Sequence, residues 1–194
     1  LVGIGDDAAV LRSPSDRDLA VCTDTLVADV HFSSDDDPRA VGHKALAVNL
    51  SDLAAMGAEP AWFFLALALP GYDEEWCDSF AHGMAALAAS SGALLAGGDT
   101  TRGSLTVTVT AIGALPRDRA LTRGGAKTGD RVFVSGVPGR AGFALAERMA
   151  GREPPADCAL ALDFPTPRLA LGAALLEYAS ACIDVSDGLA ADLG

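Results

Sequence analysis

A set of acidic motifs scattered along the chain, each beside an apolar run, constrains the possible folds more than any other feature. The five are Gly5-Asp6-Asp7, Thr23-Asp24-Thr25, Asn49-Leu50-Ser51-Asp52, Gly97-Gly98-Asp99-Thr100 and Asp184-Val185-Ser186-Asp187-Gly188. Aspartate flanked by glycine and small hydroxyl residues suits hard divalent cations, which want oxygen ligands and close backbone approach. One such motif is ordinary turn chemistry. Five of them predict a fold that gathers distant segments into one acidic site. Such a site repels a bare polyphosphate and would hold one through metal ions.

Composition narrows the partners. The chain has 194 residues and a net charge of −12, with a pI near 4.4. This balance argues against nucleic acid or an anionic membrane as the main partner. No unbroken apolar run reaches the ~18 residues of a membrane span, and no basic-then-apolar leader opens the chain. Cys22, Cys77, Cys158 and Cys182 lack metal-binding spacing and are expected as buried, reduced thiols of a cytoplasmic protein. The chain opens on Leu1 and stops at Gly194, just past the last motif, so it is expected to be incomplete with part of its site absent.

Apolar runs and breakers predict an α/β fold of mixed sheets in two lobes. Strands are expected at 19–22, 60–69, 93–96, 105–112, 131–134 and 181–183, the first, third and last delivering Asp24, Asp99 and Asp184 at their ends. Helices are expected at 40–56, 74–89 with Asp73 as cap, 141–150 and 168–179, with the stretch between Pro154 and Pro167 irregular. The polar, glycine-rich segment 117–129 divides an N-terminal domain, 1–115, from a partial C-terminal one, 116–194.

Asp52 is the most telling residue. Its helix is apolar on nearly every side, with Asn49, Asp52 and Met56 forming a polar notch on one face. A buried carboxylate is costly unless paired or metal-bound, and Lys44 lies two turns away, too far for a helical pair. Metal ligation is therefore the favoured reading over a structural ion pair. For Asp24 and Asp99 taken singly, turn capping is an equal alternative. Gly3-Ile4-Gly5 lacks the following helix of a dinucleotide fingerprint, and Gly124 to Gly129 lacks Walker A spacing. Cys22-Thr23-Asp24-Thr25-Leu26 misses the second aspartate of a dehalogenase-type phosphatase. Cys22 is better read as a core thiol than as a nucleophile. An acidic scaffold would not need aspartates placed across two lobes.

The wording of these motifs resembles the thiamine-monophosphate kinase family. The similarity runs through Gly3 to Ala9, Thr23 to Val27, Lys44 to Ala58, Gly97 to Gly103 and Asp184 to Leu189, and so covers essentially the whole chain. The strings NLSDLAAMGA and GGDTTRG carry most of its specificity. The resemblance implies the aminoimidazole ribonucleotide synthetase-like fold, with its second lobe incomplete in this chain, and a homodimer joined through the N-terminal domain. It implies ATP and thiamine monophosphate as substrates and several Mg2+ ions held by Asp7, Thr23, Asp24, Asp52, Asp99, Asp184 and Asp187. Gly98, Asp99, Arg123 and Ser186 would contact ATP, His31 the thiamine phosphate, and Asp52, Asp99 and Asp187 would serve catalysis. Where the family often has serine, this chain has Cys22, so a hydroxyl contact there would be lost. The acceptor would itself be a phosphate monoester, largely dianionic at neutral pH. It needs neutralising charge, to which Arg102 and Arg123 could add, rather than a general base. The nearest alternative is another ATP-using enzyme of the same superfamily, of the hydrogenase-maturation or selenophosphate synthetase type.

Overall fold

Alternation in the segment 106–116 sets the architecture. In the computed structural model, which describes residues 8, 9 and 11–194, this segment is strand β4 (Thr106–Pro116), lying inside a four-stranded sheet. The others are β1 (Arg17–Val27), β2 (Glu59–Leu69) and β3 (Leu94–Arg102), in the order β1-β4-β2-β3. β4 runs antiparallel to both neighbours, and β2 and β3 are parallel, so the sheet is mixed as expected. Val107, Val109 and Ala111 turn one way and are fully buried, while Thr106, Thr108 and Thr110 turn the other way and are half-exposed. The sheet therefore has one covered and one open face.

Two helices cover it. Helix α1 (Pro38–Ala55) starts with Pro38 in its first turn and with Asp37, whose carboxylate accepts the Arg39 N–H at 2.9 Å. Helix α2 (Glu74–Ser91) is capped by Asp73, which accepts the Trp76 N–H at 3.1 Å, and ends at Gly92 in the left-handed conformation. α1 rests on β1 and β4 and is packed along α2. Leu46, Leu50 and Leu53 are almost wholly buried against Phe63, Val107, Val109 and Leu115. Burying each such leucine stabilises the fold by about 1.5–3 kcal/mol. The helices cross where glycines meet backbone: a Cβ on Gly42 would overlap the Phe80 carbonyl, and one on Gly83 the Arg39 carbonyl.

The second half is helical among the described residues: α3 (Arg140–Met149), α4 (Ala156–Asp163), α5 (Leu169–Leu175) and α6 (Leu189–Asp192). α4 replaces the irregular stretch expected there, and α5 is shorter than the expected helix at 168–179. The strands expected at 131–134 and 181–183 do not form. Both segments lack regular secondary structure, no described strand pairs with either, and Val132 and Phe133 stand 69% and 84% exposed. An apolar run becomes a strand only where a neighbour supplies its ladder of hydrogen bonds. The second half docks on α1: His43 contacts the Pro165 carbonyl at 2.8 Å, and Phe164 meets the His43 ring edge-on.

The helix crossing yields a prediction of unusual sign. Gly→Ala in a helix interior ordinarily gains stability. At Gly42 or Gly83 the added methyl would force the helices apart, so each substitution should cost about 1–3 kcal/mol. A lowered urea midpoint with unchanged m checks this; a raised midpoint would contradict so close a crossing.

Candidate functional site

β1 and β3 both run further than the apolar pattern predicted, and this decides where the acidic residues face. Thr23-Asp24-Thr25 lies within β1, not beyond its end, and Gly97-Gly98-Asp99-Thr100 lies within β3. The expectation that both motifs sit in loops at strand ends is thus corrected. Strand pairing carries through because β4 supplies partners to β1, and β2 to β3, along their whole lengths.

On β1, Cys22, Asp24 and Leu26 turn toward the helices, and Thr23 and Thr25 toward the open face. The Thr23 hydroxyl pairs with that of Thr110 at 2.9 Å, and the Thr25 hydroxyl with that of Thr108 at 2.8 Å. β3 bears a bulge at Ala96: Leu95 pairs with Phe63, but Gly97 pairs with Phe64. That extra residue flips the alternation of everything after it. Without it Asp99 would oppose Leu67 and point into the buried layer; with it Asp99 opposes Ala66 on the open face. Glycine is required beside the bulge, since a Cβ on Gly98 would overlap the Leu65 carbonyl.

The carboxylates that come together are those of Asp24, Asp52 and Asp184. Asp52 projects from α1 toward β1, and its carboxyl is pushed up to about 6. Burial is the main cause, followed by repulsion from Asp24 and then from Asp184. Asp184 arrives from the second half and is held by Ser51, whose hydroxyl donates to its Oδ2 at 2.9 Å. Ser51 is a residue the sequence reading passed over as a candidate; its place beside Asp52 in the most specific motif was the available signal. Among the described residues no cation pairs with Asp52. Lys44 instead lies among Asp36, Asp163 and Arg148, where burial pushes its ammonium down. Asp36 accepts the Ser33 N–H at 3.0 Å and approaches Arg148 at 3.9 Å.

Cys22 bears out its reading as a core thiol. Its Sγ donates to the Asn49 carbonyl at 3.4 Å, and the thiol is pushed up to about 12, by burial first and then by Asp52 and Asp24. Asn49 is fully buried, its Nδ2 donating to the Ala45 carbonyl at 3.1 Å.

The other candidates stand apart from this group. Asp99 is on β3, three strand positions across the sheet from β1, which is about 14 Å at the usual spacing. Asp187 is exposed in the bend before α6, where the Ser186 and Gly188 N–H groups donate to Asp192 at 3.0 and 3.2 Å. Arg123 is exposed in a 3-10 turn, Arg123–Gly125. His31 is exposed in the turn after β1. Asp7 lies outside the described residues. Among the described residues no three acidic, thiol or imidazole groups are close enough to enclose a cation on their own. Two clefts, of about 270 and 560 Å³, lie elsewhere, beside Arg119 and Leu176 and beside Arg148 and Phe164. The acidic group is an open shelf. No helix among the described residues is long and apolar enough to cross a membrane.

The model of the AIR synthase related protein, N-terminal domain, matches residues 5–115. The chain belongs to this family. It is 50% identical over 197 residues to thiamine-monophosphate kinase of Salmonella typhimurium, covering 99% of this chain and 61% of that protein. The solved thiamine-monophosphate kinase of Stenotrophomonas maltophilia K279a is 47% identical, with a TM-score of 0.94 over 100% of this chain and 64% of that one. AaThiL complexed with AMPPCP and TMP is 32% identical, with a TM-score of 0.86 over 97% of this chain and 62% of that one. The chain thus spans about three fifths of the length of these relatives.

The raised Asp52 carboxyl makes a signed prediction for the metal-free protein. Its folded value lies above the unfolded one, so the native state holds the proton more tightly. Stability contributed by this group is full below the unfolded value near 4 and is lost as pH rises through about 6. Asp52→Asn carries no charge to lose. The variant should melt higher than the parent at pH 7 in chelator, and the gap should close by pH 4. Equal melting temperatures at pH 7 would contradict the repulsive cluster.

Proposed function

We propose that this family member, in its full-length form, phosphorylates thiamine monophosphate to thiamine diphosphate with ATP by direct in-line transfer. The observation that carries the reading is the three-carboxylate shelf, where burial first, and then Asp24 and Asp184, push the Asp52 carboxyl up, and no cation among the described residues pairs with it. Three half-buried aspartates, too far apart to enclose a cation by themselves, offer oxygens to hard cations whose remaining ligands would be phosphate oxygens. The thiamine-monophosphate kinase relatives and the AMPPCP and TMP complex of AaThiL support the choice of substrates.

Asp24, Asp52 and Asp184 are the residues that would hold Mg2+, with Asp7, Thr23, Asp99 and Asp187 as the further members of the proposed ligand set. When bound, Mg2+ would neutralise the facing phosphate charges. Ser51 orients Asp184, and α1 holds Asp52 rigidly through the surrounding leucines. Gly98, Asp99, Arg123 and Ser186 are proposed to contact ATP, and His31 the acceptor phosphate. No side chain is needed to remove a proton, because the acceptor oxygen is already ionised. We further propose a homodimer through the open face of the sheet, where Val21, Ile112, Trp62 and Leu94 form an apolar row and Val21 and Leu94 are 61% and 63% exposed. A cytoplasmic setting fits the free, reduced cysteines proposed above.

Four measurements test these readings. In the full-length protein, Asp52→Asn should abolish ATP turnover, and near-normal activity at limiting magnesium would sink the assignment. Magnesium with ATP should raise the melting temperature far more than ATP with chelator, because ligand binding stabilises by mass action. Thiamine monophosphate and free thiamine should be compared side by side; equal phosphorylation of both would overturn the acceptor class. Val21→Glu should shift sedimentation toward the monomer, and an unchanged dimer would exclude this face.

A further inference from the structure

Asp184 is delivered by a segment without regular secondary structure. Residues 181–185 form neither helix nor strand, and no described strand pairs with them, so other contacts set the reach of Asp184 toward Asp52. These contacts make a closed circuit that starts and ends on α1. The Leu121 N–H donates at 3.2 Å to the carbonyl of Met56, the residue that ends α1. The 3-10 turn Arg123–Gly125 follows and lies on the segment that leads to Asp184. There the Cys182 N–H donates to the Thr122 carbonyl at 3.3 Å. Gly125 sits so close to the Ser180 carbonyl that an added Cβ would stand 1.9 Å from its oxygen. The Ser180 hydroxyl donates to Asp130 at 2.6 Å. The Ser51 hydroxyl, back on α1, donates to Asp184 at 2.9 Å and closes the circuit.

We propose that Gly125 is a positioning residue for the phosphoryl transfer: its close contact with the Ser180 carbonyl seats Asp184 opposite Asp52. This rests on the kinase reading above and deepens it. Gly125 has no side chain and acts only through the backbone it supports. Its φ lies outside the left-handed region, so close approach alone demands glycine here. An added methyl must drive the turn and the Ser180 segment apart by more than an ångström. Asp184 lies four residues beyond Ser180 and would be drawn off Ser51 with it. Ligand distances around a cation hold to within about 0.2 Å, so even part of that displacement matters. The same turn bears Arg123, so the contact also fixes the backbone of the proposed ATP-contacting arginine relative to Asp184.

The turn carries its own control. Gly124 also has no positive φ, and a Cβ added there meets nothing within 4 Å. In the full-length protein, Gly125→Ala should weaken binding of Mn2+, followed by electron paramagnetic resonance, about tenfold, the lower end for groups that orient a metal ligand. Gly124→Ala should bind as the parent does. Gly125→Ala should also raise the magnesium needed for half-maximal turnover by a similar factor, with most of kcat regained at saturating magnesium. Ser51→Ala should weaken Mn2+ as well. Combining it with Gly125→Ala should cost less than the two losses together, because both act through Asp184. Should Gly125→Ala fail to fold, Asp130→Ala removes the Ser180 tie at an exposed site without adding bulk. It should weaken Mn2+ in the same direction by a smaller factor.

Hydrogen exchange at the Cys182 N–H reads the brace without metal or activity. Gly125→Ala should speed that exchange and Gly124→Ala should not. Unchanged exchange in Gly125→Ala sinks the brace. Faster exchange with unaltered Mn2+ affinity sinks the positioning role and leaves a merely structural contact. Additive losses in the double variant also overturn it, since they place the effect of Gly125 elsewhere. Failure of the parent enzyme to phosphorylate thiamine monophosphate sinks the kinase reading, while exchange and Mn2+ binding still decide whether Gly125 seats Asp184.

Discussion

One half-buried carboxylate, Asp52 on the well-packed helix α1, facing Asp24 and Asp184 from other segments, is the constraint around which the candidate site is arranged. Helix α1 is wrapped by the sheet, by α2 and by the second half of the chain, so Asp52 cannot relax into water by moving its backbone. Asp24 approaches from the sheet and Asp184 from the far side of the chain, each raising the cost of ionising Asp52. A fold that keeps three like charges together stores an electrostatic deficit that a cation removes on binding.

The surrounding packing makes this arrangement rigid. Gly42 and Gly83 bring the helix backbones close, and Leu46, Leu50 and Leu53 fill the layer above the sheet. Cys22 and Asn49 close the gap between β1 and α1 with a thiol bonded to the Asn49 carbonyl, just beside the acidic shelf. A thiol pushed up to about 12 stays neutral and adds no further negative charge to the cluster. Serine at this position would offer a stronger hydroxyl donor to the same carbonyl, so the cysteine is a packing solution that keeps the geometry with a weaker bond.

The bulge in β3 divides the candidate residues between the two faces of the sheet. It sends Asp99 to the open side, in the same row as Thr25, Thr108 and Ala66, while Asp24 remains on the helix side. The candidate residues therefore form two groups, a buried-side trio and an open-side set. If both act on one polyphosphate, the ligand must reach around an edge of the sheet, or a second copy must supply the missing half.

Much of this was legible in the linear chain. Apolar runs marked the four described strands and both long helices of the first half, and Asp73 was correctly the cap of α2, while Asp52, expected to be buried, is half-buried on a helix whose apolar residues are buried. Local chemistry suffices for such features because propensity, capping and periodicity act over a few residues. The failures share one cause. Residues 131–134 have strand composition yet lack a partner, the run 156–163 becomes a helix between prolines that suggested irregularity, and β1 and β3 continue through motifs that read as loops. Each outcome depends on whether another segment arrives to pair or pack. The same holds at the site. The residue types were set by the sequence alone. That Asp24, Asp52 and Asp184 meet and that Asp99 faces the other way were decided by strand register and a single bulge, because these depend on contacts between segments distant in the chain.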